Sequence, residues 1–439
     1  MKKIKRRAYS ALLVALCLIV GMTVYVCRFA AHGQQWVRFS ANQAVFHGGR
    51  LLTGTVTDRN GLILADAEDG TRSFADDPVV RTAVLHAVGD REGNIGTGAL
   101  TAFSDRLTGY SAVTGLAEDG AVLTLSLDAE LCCVAYDALA GRRGAVLVSD
   151  YTTGEIRCMT SSPSYDPDEG FDESDVRYDG VYLNRCLSAA YPPGSIFKLA
   201  TLTAAMENIP DLSERRFTCG GSVTVDGNEI HCTGVHGEQT VEQALANSCN
   251  CAFAELSLEL GGKTMKQYAD RLGLTGQLTL DGVYTAAGRF DAAESGSAAL
   301  AWSGIGQSTD LVTPFAMLRC VSAIANGGVL VPPTLLCGEA SKPEKLLDAK
   351  TAGQLKAMMN YNVAYSYGTW NFPGLALCAK SGTAEVGDGT SHAWFTGFLD
   401  DPEHPYAFVV LIENAGGGAR NAGPVANTVL QAAIQNETK

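Results

Sequence analysis

The chain has 439 residues, of which 46% are hydrophobic, and this is enough for two or three globular domains. Its formal net charge of −14 argues against nucleic acid, and against anionic surfaces in general, as partners. Two of the 13 cysteines, Cys17 and Cys27, fall in an apolar N-terminal segment. The others are odd in number, so at least one thiol is unpaired or bonded to another molecule.

The chain opens with a basic segment that is followed by an apolar one. Residues 1–7 read MKKIKRR, and residues 8–27 carry no charge. A helix over the apolar segment would span about 30 Å, the thickness of a bilayer core. The basic flank predicts a cytoplasmic tail and an extracytoplasmic remainder. A cleaved signal peptide is the alternative, but the run is long for one and no A-x-A site follows. We expect a retained single-pass anchor in the cell membrane.

Residues 28–120 predict a small extracytoplasmic domain. They are polar and Gly-rich, with short strand-like runs such as LLTGTVTD and GLILAD. The Asn60-Gly61 pair between these two runs is typical of a hairpin turn. A stretch of this kind suits a stalk that holds a larger domain away from the membrane.

Residues 121–439 predict the main domain, because strand and helix patterns become regular there. Asp128 is a plausible N-cap for an amphipathic helix, and GAVLVSDYTTGEIRCMTSSP indicates two strands joined by a turn. Apolar helices are expected near 195–207 and 240–260, and strands at 374–386, 391–399 and 406–413. The order of strands, helices and strands indicates an α+β fold in which one sheet packs against a helical subdomain.

The first candidate site lies at the start of an apolar helix. Residues 196–206 are apolar on almost every side, which is typical of a buried helix. Pro192-Pro193-Gly194 places the start of that helix at about Ser195. Ser195 and Lys198 then share one face, although a lysine is rarely buried without a partner. On its own, the serine could be no more than an N-cap.

Two further motifs follow in the chain and change this interpretation. Residues 248–250 read Ser-Cys-Asn at the head of another apolar helix, and residues 380–383 read Lys-Ser-Gly-Thr on a predicted strand. Ser-x-x-Lys, Ser-x-Asn and Lys-Ser/Thr-Gly, in this order, are the motifs of penicillin-recognising serine enzymes. Separately, Asn250 could be a second N-cap and Lys380 an ordinary charge at a strand edge.

Together with their surroundings, these motifs resemble class B penicillin-binding proteins, which are monofunctional peptidoglycan D,D-transpeptidases. The stretches GTVTDRNGLILA, GEIRCMTSSPSYDPD, HGEQTVEQALANSCN, GIGQSTDLVTPFAML and WFTGF also fall in the family's order. The resemblance implies a penicillin-binding-protein/serine β-lactamase-like domain behind a transmembrane helix and a stalk. Two departures are Ser381, where Thr is more usual, and a short stalk without an obvious large pedestal domain.

The resemblance implies serine acyl-enzyme chemistry that needs no cofactor. Ser195 would attack the penultimate D-Ala carbonyl of a stem peptide. Lys198, with a depressed pKa, would accept the serine proton as a neutral amine. Ser248 would relay that proton to the leaving D-alanine, and Asn250 would hold the substrate amide and position the lysine.

The same resemblance implies how the substrate is held. Lys380, with the hydroxyls of Ser381 and Thr383, would bind the terminal carboxylate. The backbone N–H groups of Ser195 and Thr383 would form the oxyanion hole. Gly382 would leave the substrate room to lie along the strand. Trp394 and Phe395 we interpret as core residues.

Three rival functions share this fold. A serine β-lactamase of class A needs a glutamate for deacylation, and no convincing Glu-x-x-Leu-Asn follows Asn250. A β-lactam sensor would have little more than residues 1–7 with which to signal. A D,D-carboxypeptidase is not separated from a transpeptidase by the residues. The implied partners are stem peptides on lipid-linked glycan strands, β-lactams and a multi-spanning glycosyltransferase reached through the span and stalk.

Cysteines between the first two motifs also attract attention. Cys219 and Cys232 bracket GGSVTVDGNEIH, a predicted hairpin, and we expect them to form a disulfide. A zinc site with His231 and His236 is conceivable, but it lacks the second close cysteine of a usual knuckle. We therefore expect no metal, a structural role for His236, and ordinary small apolar positions at the cysteines of residues 249–251.

Overall fold

The fold is described from a computed structural model of the chain. The structure describes residues 2–37, 46–47, 50–51, 53–68, 71–111, 114–115, 117, 120–291, 293–294, 296–339, 341–387 and 389–436. An N-terminal helix, a small sheet and a large α+β body follow one another along these residues.

The N-terminal helix α1 covers Lys2–Val37. Its segment Lys2–His32 is long and apolar enough to cross a membrane, by length and composition. None of the large apolar side chains of residues 8–27 is buried against another part of the protein. A short antiparallel ladder follows, formed by β1 (Phe46–His47) and β2 (Arg50–Leu51).

A small four-stranded sheet follows α1. Its strands are β3 (Thr55–Thr57), β4 (Ile63–Glu68), β5 (Thr71–Phe74) and β6 (Val122–Thr124), in the order β5-β4-β3-β6. The expected turn at Asn60-Gly61 joins β3 to β4, and Gly61 has φ +85° there, a conformation that glycine adopts without strain. Because β6 pairs in parallel with β3, residues on both sides of position 120 belong to this sheet.

Three helices connect β5 to β6. They are α2 (Pro78–Val88), α3 (Ala99–Ala102) and α4 (Ser104–Leu107). Asp77 caps α2 by accepting a hydrogen bond from the Val79 backbone N–H. Apolar residues of α2, such as Val84, are buried in the same core as the large body. The small sheet is therefore attached to the main domain, because α2 packs on it.

The large body contains most of the regular structure. Its elements in chain order are α5 (Ala129–Leu139), β7 (Gly144–Asp150), β8 (Ile156–Ser162), α6 (Lys198–Asn208), β9 (Phe217–Cys219), β10 (Ser222–Val225), β11 (Asn228–His231), β12 (Gly237–Gln239), α7 (Val241–Ala246), α8 (Asn250–Arg271), β13 (Gly276–Leu280), β14 (Val283–Gly288), α9 (Ala298–Ser303), α10 (Pro314–Ala325), β15 (Val329–Leu330), β16 (Glu344–Lys345), α11 (Ala349–Asn362), β17 (Leu377–Glu385), β18 (Ser391–Leu399), β19 (Tyr406–Ile412) and α12 (Gly418–Asn436).

A five-stranded antiparallel sheet forms the centre of this body. Its order is β17-β18-β19-β7-β8, so β17 lies at one edge. Every residue of β7, β8 and β19 is buried, since α5 and α12 pack together on the sheet and α10 packs with α11. Asp128 caps α5 as expected. The predicted α+β class and the predicted strands are confirmed.

The helical part departs from expectation at two places. Instead of an α-helix from Ser195, a 3₁₀ turn forms at Gly194–Ile196 and α6 begins at Lys198. Instead of one helix over 240–260, α7 and α8 are separated by residues 247–249, where Ser248 has φ +51°. Apolar periodicity continues through both places, so the pattern does not reveal either break.

Candidate active site

Ser195 lies on the 3₁₀ turn that precedes α6, and this turn packs against the edge strand β17. Gly194 has φ +54°, and a Cβ built on it would stand 2.6 Å from the carbonyl oxygen of Thr383. Only glycine combines this backbone conformation with so close an approach. Gly194 thus allows the first and third motifs to lie in direct contact.

Two further contacts hold the serine turn in place. The indole Nε1–H of Trp394 donates to the carbonyl oxygen of Pro192 at 3.0 Å. The backbone N–H of Gly194 donates to the carbonyl oxygen of Gly306 at 2.8 Å. Trp394 and Phe395 are fully buried, which confirms that they are core residues. The indole also satisfies a carbonyl of the turn.

Lys198 is fully buried and reaches the second motif. Its Nζ donates to the carbonyl oxygen of Ser248 at 2.6 Å, to Ser248 Oγ at 3.2 Å and to Asn250 Oδ1 at 2.8 Å. All three acceptors belong to uncharged groups. Burial therefore lowers the pKa of Lys198 to about 8. An amine with such a pKa can serve as a base near neutral pH.

The break between α7 and α8 presents the hydroxyl of Ser248. The backbone N–H of Cys249 donates to the Ala244 carbonyl at 2.8 Å, and that of Ser248 donates to the Leu245 carbonyl at 3.1 Å. This is the Schellman arrangement, in which the left-handed residue is usually glycine. A serine in that conformation costs of order 1–3 kcal/mol, so the surrounding contacts must hold it there.

Lys380 reaches the same hydroxyl from β17. Its Nζ donates to Ser248 Oγ at 3.1 Å and to the Ser381 carbonyl at 2.8 Å. Burial, together with the charge of Lys198, holds the pKa of Lys380 well below its usual range. Two buried amines therefore meet at one hydroxyl, and every acceptor they use is neutral. An anion placed beside Lys380 would stabilise its ammonium form.

The edge of β17 that faces away from β18 carries the backbone N–H groups of Ser381 and Thr383. The Ser381 backbone N–H donates to the Tyr367 hydroxyl at 2.8 Å, so this N–H points away from β18. Because strand geometry repeats every two residues, the Thr383 N–H points the same way, toward the serine turn. The Thr383 side chain is exposed and that of Ser381 is half-buried. The Thr383 N–H and the hydroxyls of Ser381 and Thr383 therefore lie along the edge of β17 beside the serine turn.

The structure gives a different reason for a glycine at position 382 from the one expected. A Cβ on it would stand 2.9 Å from the carbonyl oxygen of Pro193 and 3.1 Å from Cγ2 of Ile196. The absent side chain leaves space for the serine turn to pack on β17. This differs from the expectation that the space serves the substrate.

Tyr367 contacts the third motif, although no sequence pattern predicts this. It ends a π-helical segment, Val363–Tyr367, and its hydroxyl also donates to Ser381 Oγ at 3.1 Å. The neighbouring Ser366 hydroxyl donates to the Ala246 carbonyl of α7 at 2.6 Å. The segment thus connects the second and third motifs. Only the glycine that follows, Gly368, marks a helix end in the sequence.

A group of thiols lies directly behind the second motif. The ligand atoms of Cys219, Cys232, His236 and Cys249 all lie within 4.8 Å of one another. The expected Cys219–Cys232 disulfide is not formed in this structure, where both are thiols. Cys249 is not an ordinary apolar position, because its sulfur belongs to this group. His231 lies outside it, exposed and 3.8 Å from Glu229.

Residues 144–433 match the family described as penicillin binding protein transpeptidase domain. The chain is 29% identical over 338 residues to "Peptidoglycan D,D-transpeptidase PbpA" of Mycobacterium tuberculosis strain H37Rv, a match covering 67% of this chain and 68% of the relative. It is 30% identical over 303 residues to "Stage V sporulation protein D" of Bacillus subtilis, covering 63% of this chain and 46% of that protein.

Solved structures have the same fold. The D,D-transpeptidase domain of a peptidoglycan glycosyltransferase from Eggerthella lenta superposes with a TM-score of 0.75 and 26% identity, covering 88% of this chain and 98% of the other. Penicillin-binding protein A of M. tuberculosis, in its ceftriaxone acyl-enzyme complex, gives a TM-score of 0.73 with 23% identity, covering 87% and 98%. The expected fold is therefore confirmed.

The tight contact at Gly194 predicts a large cost for any side chain there. Gly194→Ala should lower the free energy of unfolding by about 3 kcal/mol, since it adds a steric overlap to a left-handed backbone. Gly170→Ala is the matched control, because Gly170 also has positive φ but nothing within 4 Å of its Cβ position. It should lose only about 1–2 kcal/mol. Equal losses in urea unfolding of the detergent-solubilised chain would contradict the close approach.

Proposed function

The chain belongs to the penicillin-binding protein transpeptidase family, as a class B penicillin-binding protein, and from this membership we propose how it works as a peptidoglycan D,D-transpeptidase. It cross-links stem peptides through an acyl-enzyme on Ser195, and β-lactams inhibit it by acylating the same serine. The observation that carries the proposal is the meeting of Lys198 and Lys380 at the Ser248 hydroxyl, at 3.2 and 3.1 Å.

Substrate capture begins at the edge strand. The C-terminal carboxylate of a stem peptide binds Lys380 and the hydroxyls of Ser381 and Thr383. Its negative charge favours the ammonium form of Lys380. That fixed positive charge in turn disfavours a second charge on Lys198, so binding leaves Lys198 as the neutral amine that the next step needs.

Acylation then transfers one proton and breaks one amide bond. Ser195 Oγ attacks the penultimate D-Ala carbonyl while Lys198 accepts the hydroxyl proton. The backbone N–H groups of Ser195 and Thr383 stabilise the negative oxygen of the tetrahedral intermediate. The intermediate collapses to the ester as Ser248 passes the proton to the nitrogen of the departing D-alanine. Asn250 keeps Lys198 aligned through its 2.8 Å contact.

The acyl-enzyme is resolved by an amine from a neighbouring stem peptide. The amine attacks the ester carbonyl, its proton returns through Ser248 and Lys198 to Ser195, and the cross-link is released. A β-lactam forms the same ester, but its leaving group remains tethered and obstructs the incoming amine. The adduct should therefore persist.

The proposed setting is the outer side of a membrane. Residues 8–27 of α1 would anchor the chain, because their apolar side chains are exposed to solvent in the chain by itself. Residues 1–7 would then lie in the cytoplasm. Residues 28–120, whose sheet is completed by β6, would form the stalk domain, and the rest of residues 121–439 the catalytic domain. A multi-spanning glycosyltransferase that polymerises lipid-linked glycan is the proposed partner of the span and stalk.

Fluorescent penicillin tests the nucleophile and the base. Ser195→Ala should abolish covalent labelling of the detergent-solubilised protein while its unfolding curve stays unchanged. Lys198→Ala should slow labelling by about 10²–10⁴-fold, as the loss of a general base does. Ser174→Ala is the control, since Ser174 is exposed and its hydroxyl donates to Asp172 rather than to a site residue, and it should label normally. Normal labelling of either active-site variant would exclude the assignment.

The pH profile of acylation tests the lowered pKa of Lys198. With a pKa of about 8, the neutral base becomes more abundant as pH rises toward that value. The second-order rate constant for penicillin should increase about tenfold per pH unit below about pH 8 and level off above it. Stopped-flow or quenched labelling across this range measures it. A rate that keeps rising to about pH 10 would mean that the lysine has an ordinary pKa.

Nitrocefin hydrolysis separates a transpeptidase from a β-lactamase. Both acylate the serine, but only a β-lactamase directs an activated water at the ester. We expect a burst of about one nitrocefin per protein followed by very slow turnover. Steady turnover at or above about one per second, an ordinary enzymatic rate, would show that the chain is a β-lactamase.

A further inference from the structure

The cluster of three cysteines and one histidine next to the second motif has the geometry of a metal site. Cys219 ends β9, Cys232 follows β11, His236 precedes β12, and Cys249 is the residue before α8. The Sγ atoms of Cys232 and Cys249 are 3.8 Å apart, and Cys232 Sγ is 3.5 Å from His236 Nδ1. Four ligand atoms from separate segments therefore converge on one point.

These separations match tetrahedral zinc coordination. With Zn–S of about 2.3 Å and Zn–N of about 2.0–2.1 Å, tetrahedral angles give about 3.8 Å between sulfurs and about 3.5 Å between sulfur and nitrogen. Three cysteines and one histidine also form one of the common ligand sets of structural zinc. The Asn250 backbone N–H donates to Cys232 Sγ at 3.2 Å, a contact that favours thiolate at that sulfur.

Disulfides use the same cysteines but explain the arrangement less well. Cys219 Sγ lies 3.6 Å from Cys251 Sγ, so the pairs Cys219–Cys251 and Cys232–Cys249 could each be oxidised. Each bond needs the sulfurs to close to about 2.05 Å. Neither bond accounts for the approach of the half-buried His236 imidazole to the sulfur of Cys232. A metal uses all four ligand atoms, which lie within 4.8 Å of one another, and the Cys232–Cys249 and Cys232–His236 separations already fit.

We propose that Cys219, Cys232, His236 and Cys249 bind one structural Zn²⁺ ion behind the Ser-x-Asn motif. Cys249 is the middle residue of that motif, between Ser248 and Asn250. Coordination of its sulfur would restrain the left-handed backbone of Ser248, which is otherwise costly to hold.

The ion would also fix the hairpin of β10 and β11 against α8. Asn250 Nδ2 donates to the His231 carbonyl at 2.8 Å, so the hairpin and the motif already share a contact. This positioning role rests on the proposed function, whereas the metal site itself does not. The ion touches no substrate, and its effect on the reaction passes through Ser248 and Asn250.

Metal content tests the site directly. The full-length chain, purified in detergent with a tag free of histidine and without chelator, should contain about one zinc per protein by plasma mass spectrometry. Cys232→Ser should lose most of it. Cys251→Ser is the matched control, since Cys251 touches the cluster without belonging to the set of four, and it should keep the metal. Loss of zinc in Cys251→Ser would overturn the ligand set.

Two measurements on the wild-type chain keep the test independent of variant folding. Cobalt exchanged into the protein should give a thiolate-to-metal charge-transfer band and tetrahedral visible bands. Mass spectrometry of alkylated, non-reduced peptides should find the cluster thiols free once zinc is removed. Metal-free protein with a disulfide among these cysteines would overturn the proposal.

The positioning role has its own readout. Chelation should slow fluorescent-penicillin labelling severalfold, and added zinc should restore it. Unchanged labelling after complete zinc removal would overturn the positioning role. Ser195→Ala should keep its zinc although it cannot be labelled, so a failure of the proposed acyl transfer and a failure of the metal site are distinguishable.

Discussion

Two lysine amines that are buried at a single serine hydroxyl are the arrangement on which the rest of the site depends. Desolvation of two ammonium groups is costly, and the acceptors around Lys198 and Lys380 are neutral oxygens. The contacts that join them to Ser248 link residues 50 and 132 positions apart in the chain. The fold has to bring the start of α6, the α7–α8 break and the edge strand β17 to one point, and it has to bury both amines there.

Close backbone approach is the way in which the fold achieves this. Gly194 and Gly382 face each other's segments across the contact between the serine turn and β17, where a Cβ on either would meet backbone. Ser248 occupies a left-handed conformation that a non-glycine residue avoids. The backbone of the site is therefore partly in an unfavourable conformation. The surrounding core, including the buried indole of Trp394, holds these segments in place.

The sequence predicts the part of this site that is local. Motif residues and the strands that carry them are visible because each motif is short and strand periodicity is clear. The α7–α8 break is not visible, because apolar periodicity continues through residues 247–249 while a Schellman turn interrupts the helix. Tyr367 and the addition of Cys249 to the other cysteines and His236 are also not visible, since their contacts join segments that are distant in the chain. Distant contacts depend on tertiary packing, which periodicity does not encode.

The electrostatics of the paired amines also explain why the site would favour substrates that end in a carboxylate. Without an anion, burial lowers the pKa of both lysines, and the charge of Lys198 lowers that of Lys380 further. A carboxylate beside Lys380 stabilises the ammonium form of Lys380. The positive charge that results disfavours the ammonium form of Lys198. Substrate binding and base activation then become the same event. A ligand without the carboxylate would neither bind Lys380 nor favour the neutral form of Lys198. Discrimination against such ligands would therefore appear in the rate of acylation as well as in affinity.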